Sequence, residues 1–218
     1  MIRIYKSLEA PKSLDRLSSW NGEDVNAQLK KDQHGKCYLC ERRMVTDYHV
    51  EHLKCRAKNP DLSYDWSNLL WACSYCNMKK SDSFDGILDP MENDVECLIS
   101  HKMDFPKAVV LFKPVGDDTD EKNATIKLLN RIFNGNGKMR TLREQQLYDY
   151  AKSRITSFQQ MVISWLRKGE EDVRKAIIEE LEIQSEFLGF KYWIILSNDR
   201  LYREFGPYII WNKKSVIL

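Results

Sequence analysis

The 218-residue sequence has no apolar run near the roughly 20 residues that cross a bilayer, so a membrane-spanning role is not expected. No cleavable leader is visible, and Met1-Ile2-Arg3-Ile4-Tyr5 reads as a short strand. The chain has no phosphate-cradling glycine loop, no internal repeat and no second metal-type cluster, so nucleotide handling and repeat architectures are set aside. It also lacks an excess of either charge, with 34 Lys/Arg against 32 Asp/Glu. That balance says little about nucleic acid by itself. Six cysteines without a leader point to a reducing compartment, a cytoplasmic protein and metal use.

What is present is concentrated between Cys37 and Asp82. Two C-x-x-C pairs, Cys37/Cys40 and Cys73/Cys76, enclose 32 residues. Each pair forms a knuckle that points two thiolates at one ion, and two knuckles close a tetrahedral Zn²⁺ shell with no water position left. A structural zinc is therefore expected, with ordinary buried cysteines or disulfides as the alternative. Asp47 to His52 alternates well enough for a short strand, a basic loop runs from Lys54 to Asp65, and Trp66 to Lys80 reads as a helix. A unit this small needs a metal clip to hold its shape.

Within the interval lie His49-Val50-Glu51-His52, and Asn77 follows the last cysteine. Phosphodiester cleavage needs an activated water, charge relief on the phosphate and help for the departing oxygen. A neutral histidine takes a proton near pH 7. Mg²⁺ or Mn²⁺ on one carboxylate and one amide oxygen relieves the charge.

The order C-x-x-C, Glu51-His52, Asn68-Leu69, then Cys73-Ser-Tyr-Cys76-Asn77-Met-Lys-Lys80 resembles the HNH endonuclease family in its zinc-stapled ββα-metal form. The resemblance covers about a fifth of the chain. It implies that His52 is the general base, that Glu51 and Asn77 bind the catalytic metal, and that Asn68 bonds across the loop and orients the base. Lys80 would touch phosphate or brace the helix end. Glu51 stands where the family more often has Asp. His49, two residues earlier on the same strand face, is an additional candidate ligand or phosphate contact; a histidine bonded to the loop is the alternative.

Residues 36–80 hold eight Lys/Arg against five Asp/Glu, whereas the rest of the chain holds 26 against 27. Lys54, Arg56, Lys58, Lys79 and Lys80 are the expected nucleic-acid contacts, working through counterion release. A solvated charged face is the alternative. Cys55 and Cys97 are read as ordinary reduced thiols.

The expected fold is α+β and mainly helical, with a zinc-stapled nuclease core followed by a helical C-terminal region. Residues 1–35 supply a strand and helices packed on the core. Ser13 and Asp24 are candidate caps, and His34 is a helix-end residue. Residues 36–121 form the core with further short strands at 84–90 and 106–114, and His101 lies on the surface or in a loop. Residues 122–218 are helical and partner-binding, with caps at Asn123 and Thr141 and stops at Gly135, Gly169 and Gly189. The apolar tail Tyr208–Leu218 docks on its own domain or on another chain.

The layout of the whole chain also resembles the PtuB family, the HNH nuclease subunits of Septu and retron-associated antiphage defence systems. That resemblance implies an ABC/OLD-like ATPase partner, alone or with a retron reverse transcriptase and its msDNA, and nucleic acid as substrate. DNA is favoured, and RNA including transfer RNA is compatible because a one-metal site with an external base makes no use of the 2′-hydroxyl. A catalytically inactive zinc-stapled nucleic-acid-binding module and a helical adaptor are the competing classes. A binding module has no need of a base beside an oxygen-ligand pair.

Overall fold

The computed structural model describes residues 1–211 except 16, 18, 44, 45 and 138. The chain is α+β and mainly helical. Its helices are α1 (Lys12–Asp15), α2 (Glu23–Asp32), α3 (Ser74–Lys80), α4 (Val95–Leu98), α5 (Asp120–Phe133), α6 (Leu142–Lys168), α7 (Glu171–Glu180), α8 (Leu188–Leu196) and α9 (Asp199–Phe205). Two antiparallel hairpins interrupt them: β1 (Tyr48–His52) with β2 (Leu69–Cys73), and β3 (Ile99–Asp104) with β4 (Val109–Pro114).

The first hairpin corrects the expectation of a helix over 66–80. Leu69-Leu70-Trp71-Ala72-Cys73 is an unbroken apolar run, buried on both faces, and it pairs with β1 from Tyr48↔Cys73 to His52↔Leu69. A short run of that kind suits a strand or a buried helix segment by pattern alone, and here pairing decides. Ser74–Lys80 is the α-helical part of that stretch, after a 3-10 turn at Trp66–Asn68, and the Cys73 side chain accepts the Cys76 N–H at its start.

The remaining differences have the same origin. Met1–Ile4 is buried but unpaired as a strand, with Ile4 N donating to Pro90 O. Residues 84–90 form no strand; they are irregular, with a bend at 86–87 and a turn beginning at Pro90. His101 lies on β3, 2 % exposed, against Phe112 and Phe190. Thr119, not Asn123, caps α5, and Gly189 sits inside the first turn of α8. Asp24 does not cap its own helix; its carboxylate accepts from Ser13 instead. The Thr141 cap is present as a full capping box with Glu144, and Gly169 ends α6 in the left-handed conformation at φ 69°.

Two apolar cores hold the chain. The larger packs the hairpin β1–β2, the cysteines and the N-terminal segment against β3, β4, α5 and the first half of α6. It contains Trp71, Phe133 and Leu29, all fully buried, and each such side chain contributes about 1.5–3 kcal/mol by leaving water. The smaller core joins Ile2 to the second half of α6, α7, α8 and α9. Helix α6 has 27 residues, about 40 Å of rod, and serves both cores. It gives Leu147, Tyr148 and Ile155 to one and Phe158, Val162 and Trp165 to the other. The expectation for the tail beyond Trp211 falls outside the described residues, while Ile209 and Trp211 are buried in the smaller core.

Candidate active site and zinc staple

The first knuckle is a tight turn in which Glu41 N donates to Cys37 O at 2.9 Å and Cys37 N donates to Arg42 O at 3.0 Å. The second is the junction of β2 and α3. The hairpin register places them side by side, because Tyr38 N donates to Trp71 O at 3.1 Å. The four thiols of Cys37, Cys40, Cys73 and Cys76 are all buried, and their sulfurs lie within 4.8 Å of one another. A tetrahedron with Zn–S bonds of about 2.3 Å has sulfur–sulfur edges of about 3.8 Å, so the donor set fits zinc in type, number and spacing. Side chains from elsewhere brace the knuckle. Glu41 takes the Met1 amine at 2.6 Å and the Gly189 N–H, and Lys36 Nζ donates to Ile183 O and Ser185 O.

His52 sits at the opposite end of β1 from the cysteines. Four residues of strand separate it from Tyr48, about 14 Å at 3.4 Å per residue. A zinc held by the four thiols would therefore staple the hairpin at the end away from His52. His52 is 8 % exposed. Its Nε2 lies 3.0 Å from the backbone carbonyl of Ser63. A carbonyl only accepts, so Nε2 carries the proton and Nδ1 keeps the lone pair. Burial lowers the imidazole pKa, and the positive charges of Arg56 and Lys80 push the same way, against the Ser63 carbonyl. A neutral imidazole with Nδ1 as acceptor is the state a general base needs.

Asn68 fixes the loop that supplies that carbonyl. It is buried, its Oδ1 accepts Lys54 N at 2.8 Å, and its Nδ2 donates to Lys54 O and Leu62 O at 3.1 Å each. These bonds pin the basic loop at its start and at Leu62, the residue before Ser63.

Glu51 projects from the other face of β1 and meets Lys80 on α3, with Nζ 2.8 Å from Oε1. Lys80 is fully buried and also donates to His52 O at 2.9 Å. The ammonium ties α3 to the strand bearing Glu51 and His52, away from solvent. Burial raises the Glu51 carboxyl pKa, and the Lys80 charge opposes that rise. Asn77 is half-buried, one helical turn before Lys80 and so on the same side of α3. Its amide has no hydrogen-bond partner among the described residues. The second Glu51 oxygen and the Asn77 amide oxygen are hard donors of the kind Mg²⁺ or Mn²⁺ takes. His49 is exposed on the face of β1 that carries Glu51.

Lys54, Arg56 and Lys58 are exposed on the basic loop, and the Lys58 ammonium is donated to Asp82 O at 2.6 Å. Lys79 differs: its ammonium is engaged by Glu144, the residue that closes the capping box of α6. Three contacts had no signal in the motif. Ser63 acts through its backbone, Lys80 is a buried partner of Glu51, and Trp20 lies against His52 from 32 residues upstream.

No helix of the described residues is long and apolar enough to cross a membrane. No curated protein matches the chain. Residues 37–83 match the model of the HNH endonuclease family, which spans both knuckles, β1, the basic loop, β2 and α3. This segment is an HNH endonuclease domain carrying a four-cysteine group suited to zinc, and it supports nuclease activity for the chain.

Proposed function

We propose that the chain is a metal-dependent endonuclease that hydrolyses phosphodiester bonds in nucleic acid, with DNA the favoured substrate and RNA, including transfer RNA, a compatible one. The observation that carries this reading is the tethering of His52: Nε2 is committed to Ser63 O, so Nδ1 is left to accept a proton. His52 takes that proton from the attacking water as the water oxygen bonds to phosphorus and the bond from phosphorus to the departing 3′ oxygen breaks. Asn68 holds the loop that orients the imidazole, and Lys80 holds the strand. Glu51 and Asn77 would hold Mg²⁺ or Mn²⁺. When bound, that cation supplies charge relief at the scissile phosphate and at the departing 3′ oxygen. Lys54, Arg56 and Lys58 attract the backbone through counterion release.

We further infer that this nuclease is the effector of an antiphage complex with an ABC/OLD-like ATPase, alone or with a reverse transcriptase and its msDNA. The support is the PtuB-like chain layout together with the absence of a nucleotide-binding loop in the sequence. One observation favours the competing reading of an inactive binding module: Glu51 is engaged by Lys80 and so offers one carboxylate oxygen.

The deciding experiment compares wild type with His52→Ala, each alone and with the neighbouring ATPase. Plasmid DNA and total cellular RNA are offered with Mg²⁺, with Mn²⁺ and with EDTA. Metal-dependent cleavage that disappears in His52→Ala is expected, and the degraded pool names the substrate. Binding of both pools without cleavage under any condition would establish the inactive module.

A further inference from the structure

One contact of the His52 ring comes from outside the HNH segment. The Trp20 ring meets the imidazole edge-on, with centroids 5.7 Å apart and planes at 64°, and it meets Tyr64 of the basic loop at 6.1 Å. The Arg56 guanidinium lies over the same indole, 4.0 Å from the ring centroid. Hydrogen bonds tie down the chain that follows Trp20. Ser13 donates to the Asp24 carboxylate through N at 3.0 Å and Oγ at 2.6 Å, closing the loop in front of α2. Asn26 Nδ2 donates to the carbonyls of Asn21 and Gly22, the two residues after Trp20. A Cβ at Gly22 would lie 2.9 Å from both Asp24 Oδ1 and Ser13 Oγ, so the clip needs glycine there.

Arg56 is unlike the arginines that hold the fold together. Arg3, Arg140, Arg174 and Arg200 each give guanidinium N–H groups to carboxylates, carbonyls or a tyrosine hydroxyl. The Arg56 guanidinium is exposed and has no acceptor among the described residues; its contact is the indole face. A guanidinium stacked in this way keeps its five donors available in a pre-set plane, the geometry that takes a phosphate in a bidentate grip.

We propose that Trp20 and Arg56 form a phosphate clamp beside the base. Arg56 grips a backbone phosphate adjoining the scissile one. Trp20 holds that guanidinium in place while it packs the His52 imidazole, so that strand capture and base alignment share one ring. Arg56 is then a substrate-binding residue and Trp20 a positioning residue. This inference rests on the nuclease reading and adds to it a residue from outside the HNH segment.

The test reads binding and cleavage separately on the full chain. Binding is measured in a His52→Ala background by fluorescence anisotropy of labelled duplex and single-stranded oligonucleotides across a salt series. Arg56→Ala should reduce the slope of log affinity against log salt by about 0.9 on duplex DNA, the value of one phosphate contact. Arg56→Lys should keep the slope and lose affinity. Trp20→Ala should weaken binding as much as Arg56→Ala, the double variant should bind no worse than either single one, and Trp20→Phe should restore binding. With His52 intact, Arg56→Ala should raise KM with little change in kcat, whereas Trp20→Ala should also lower kcat. Thermal melts confirm that Trp20→Phe and both Arg56 variants are folded. An unchanged salt slope in Arg56→Ala, or additive losses in the double variant, would overturn the clamp while leaving the nuclease intact. A chain that binds but never cuts defeats the nuclease reading, and the slope still decides the clamp; a chain that binds no nucleic acid overturns both.

Discussion

Replacing Lys80 with methionine isolates the ion pair that holds the strand of the site. Methionine keeps most of the side-chain volume and removes the ammonium. In the native chain that ammonium is fully buried, 2.8 Å from Glu51 Oε1 and 2.9 Å from His52 O, and the Glu51 side chain is 12 % exposed. Removing one partner of a buried pair leaves the other charge without compensation, which costs about 3–5 kcal/mol. At about 2–4 °C per kcal/mol for a chain of this size, Tm should fall by roughly 6–20 °C, measured by calorimetry in zinc-replete buffer without Mg²⁺. The Lys80→Met/Glu51→Gln double variant should recover a large part of the loss, because the stranded carboxylate is gone. Lys80→Met should also raise the pKa of the Glu51 carboxyl further, since burial already lifts it and the Lys80 charge opposes that rise. A Tm within a degree or two of wild type, or no recovery in the double variant, would refute the assignment of Lys80 as the brace of Glu51.

Further outcomes test the staple, the loop and the distant core. Cys73→Ser should abolish stoichiometric zinc, read by metal analysis of the purified chain, and should melt the β1–β2 hairpin. Asn68→Ala should lose about 2–4 kcal/mol, since a buried amide and its three partners are unmade, and hydrogen exchange should accelerate over residues 53–63. Glu96 is buried, with its carboxylate accepting Arg3 N at 2.9 Å, and burial pushes its pKa up to about 7. A carboxyl raised in the folded state binds protons more tightly than the unfolded chain does. Its stabilising contribution is therefore complete below its unfolded value near 4.5 and is lost as pH rises through about 7. Melts of Glu96→Gln across that window should show a shallower decline than wild type, by up to roughly 3 kcal/mol.

Two kinds of information separate in this protein. The zinc staple and the chemical cast of the site were legible in order and spacing alone. Paired C-x-x-C turns, Glu51-His52 and Asn77 are local patterns, and thiolate, imidazole, carboxylate and amide have the same chemistry in any fold. The helical stripes of α5 and α6 were legible too, since their apolar residues recur at helical spacing and Thr141 marks a start. What the sequence left open was everything that depends on a partner distant along the chain. Leu69–Cys73 became a strand because β1 was there to pair with it, and His101 became a core residue because β4 and α8 closed over it. Lys80 could by pattern touch phosphate or brace the helix end, and in the fold it meets Glu51, 29 residues earlier, in the interior. The tautomer of His52 was set by a backbone carbonyl, and its outer wall by Trp20, neither of which carries a motif. Covalent neighbours determine what a side chain can do; only the folded chain determines which charge it meets, which nitrogen stays bare and which face water can reach.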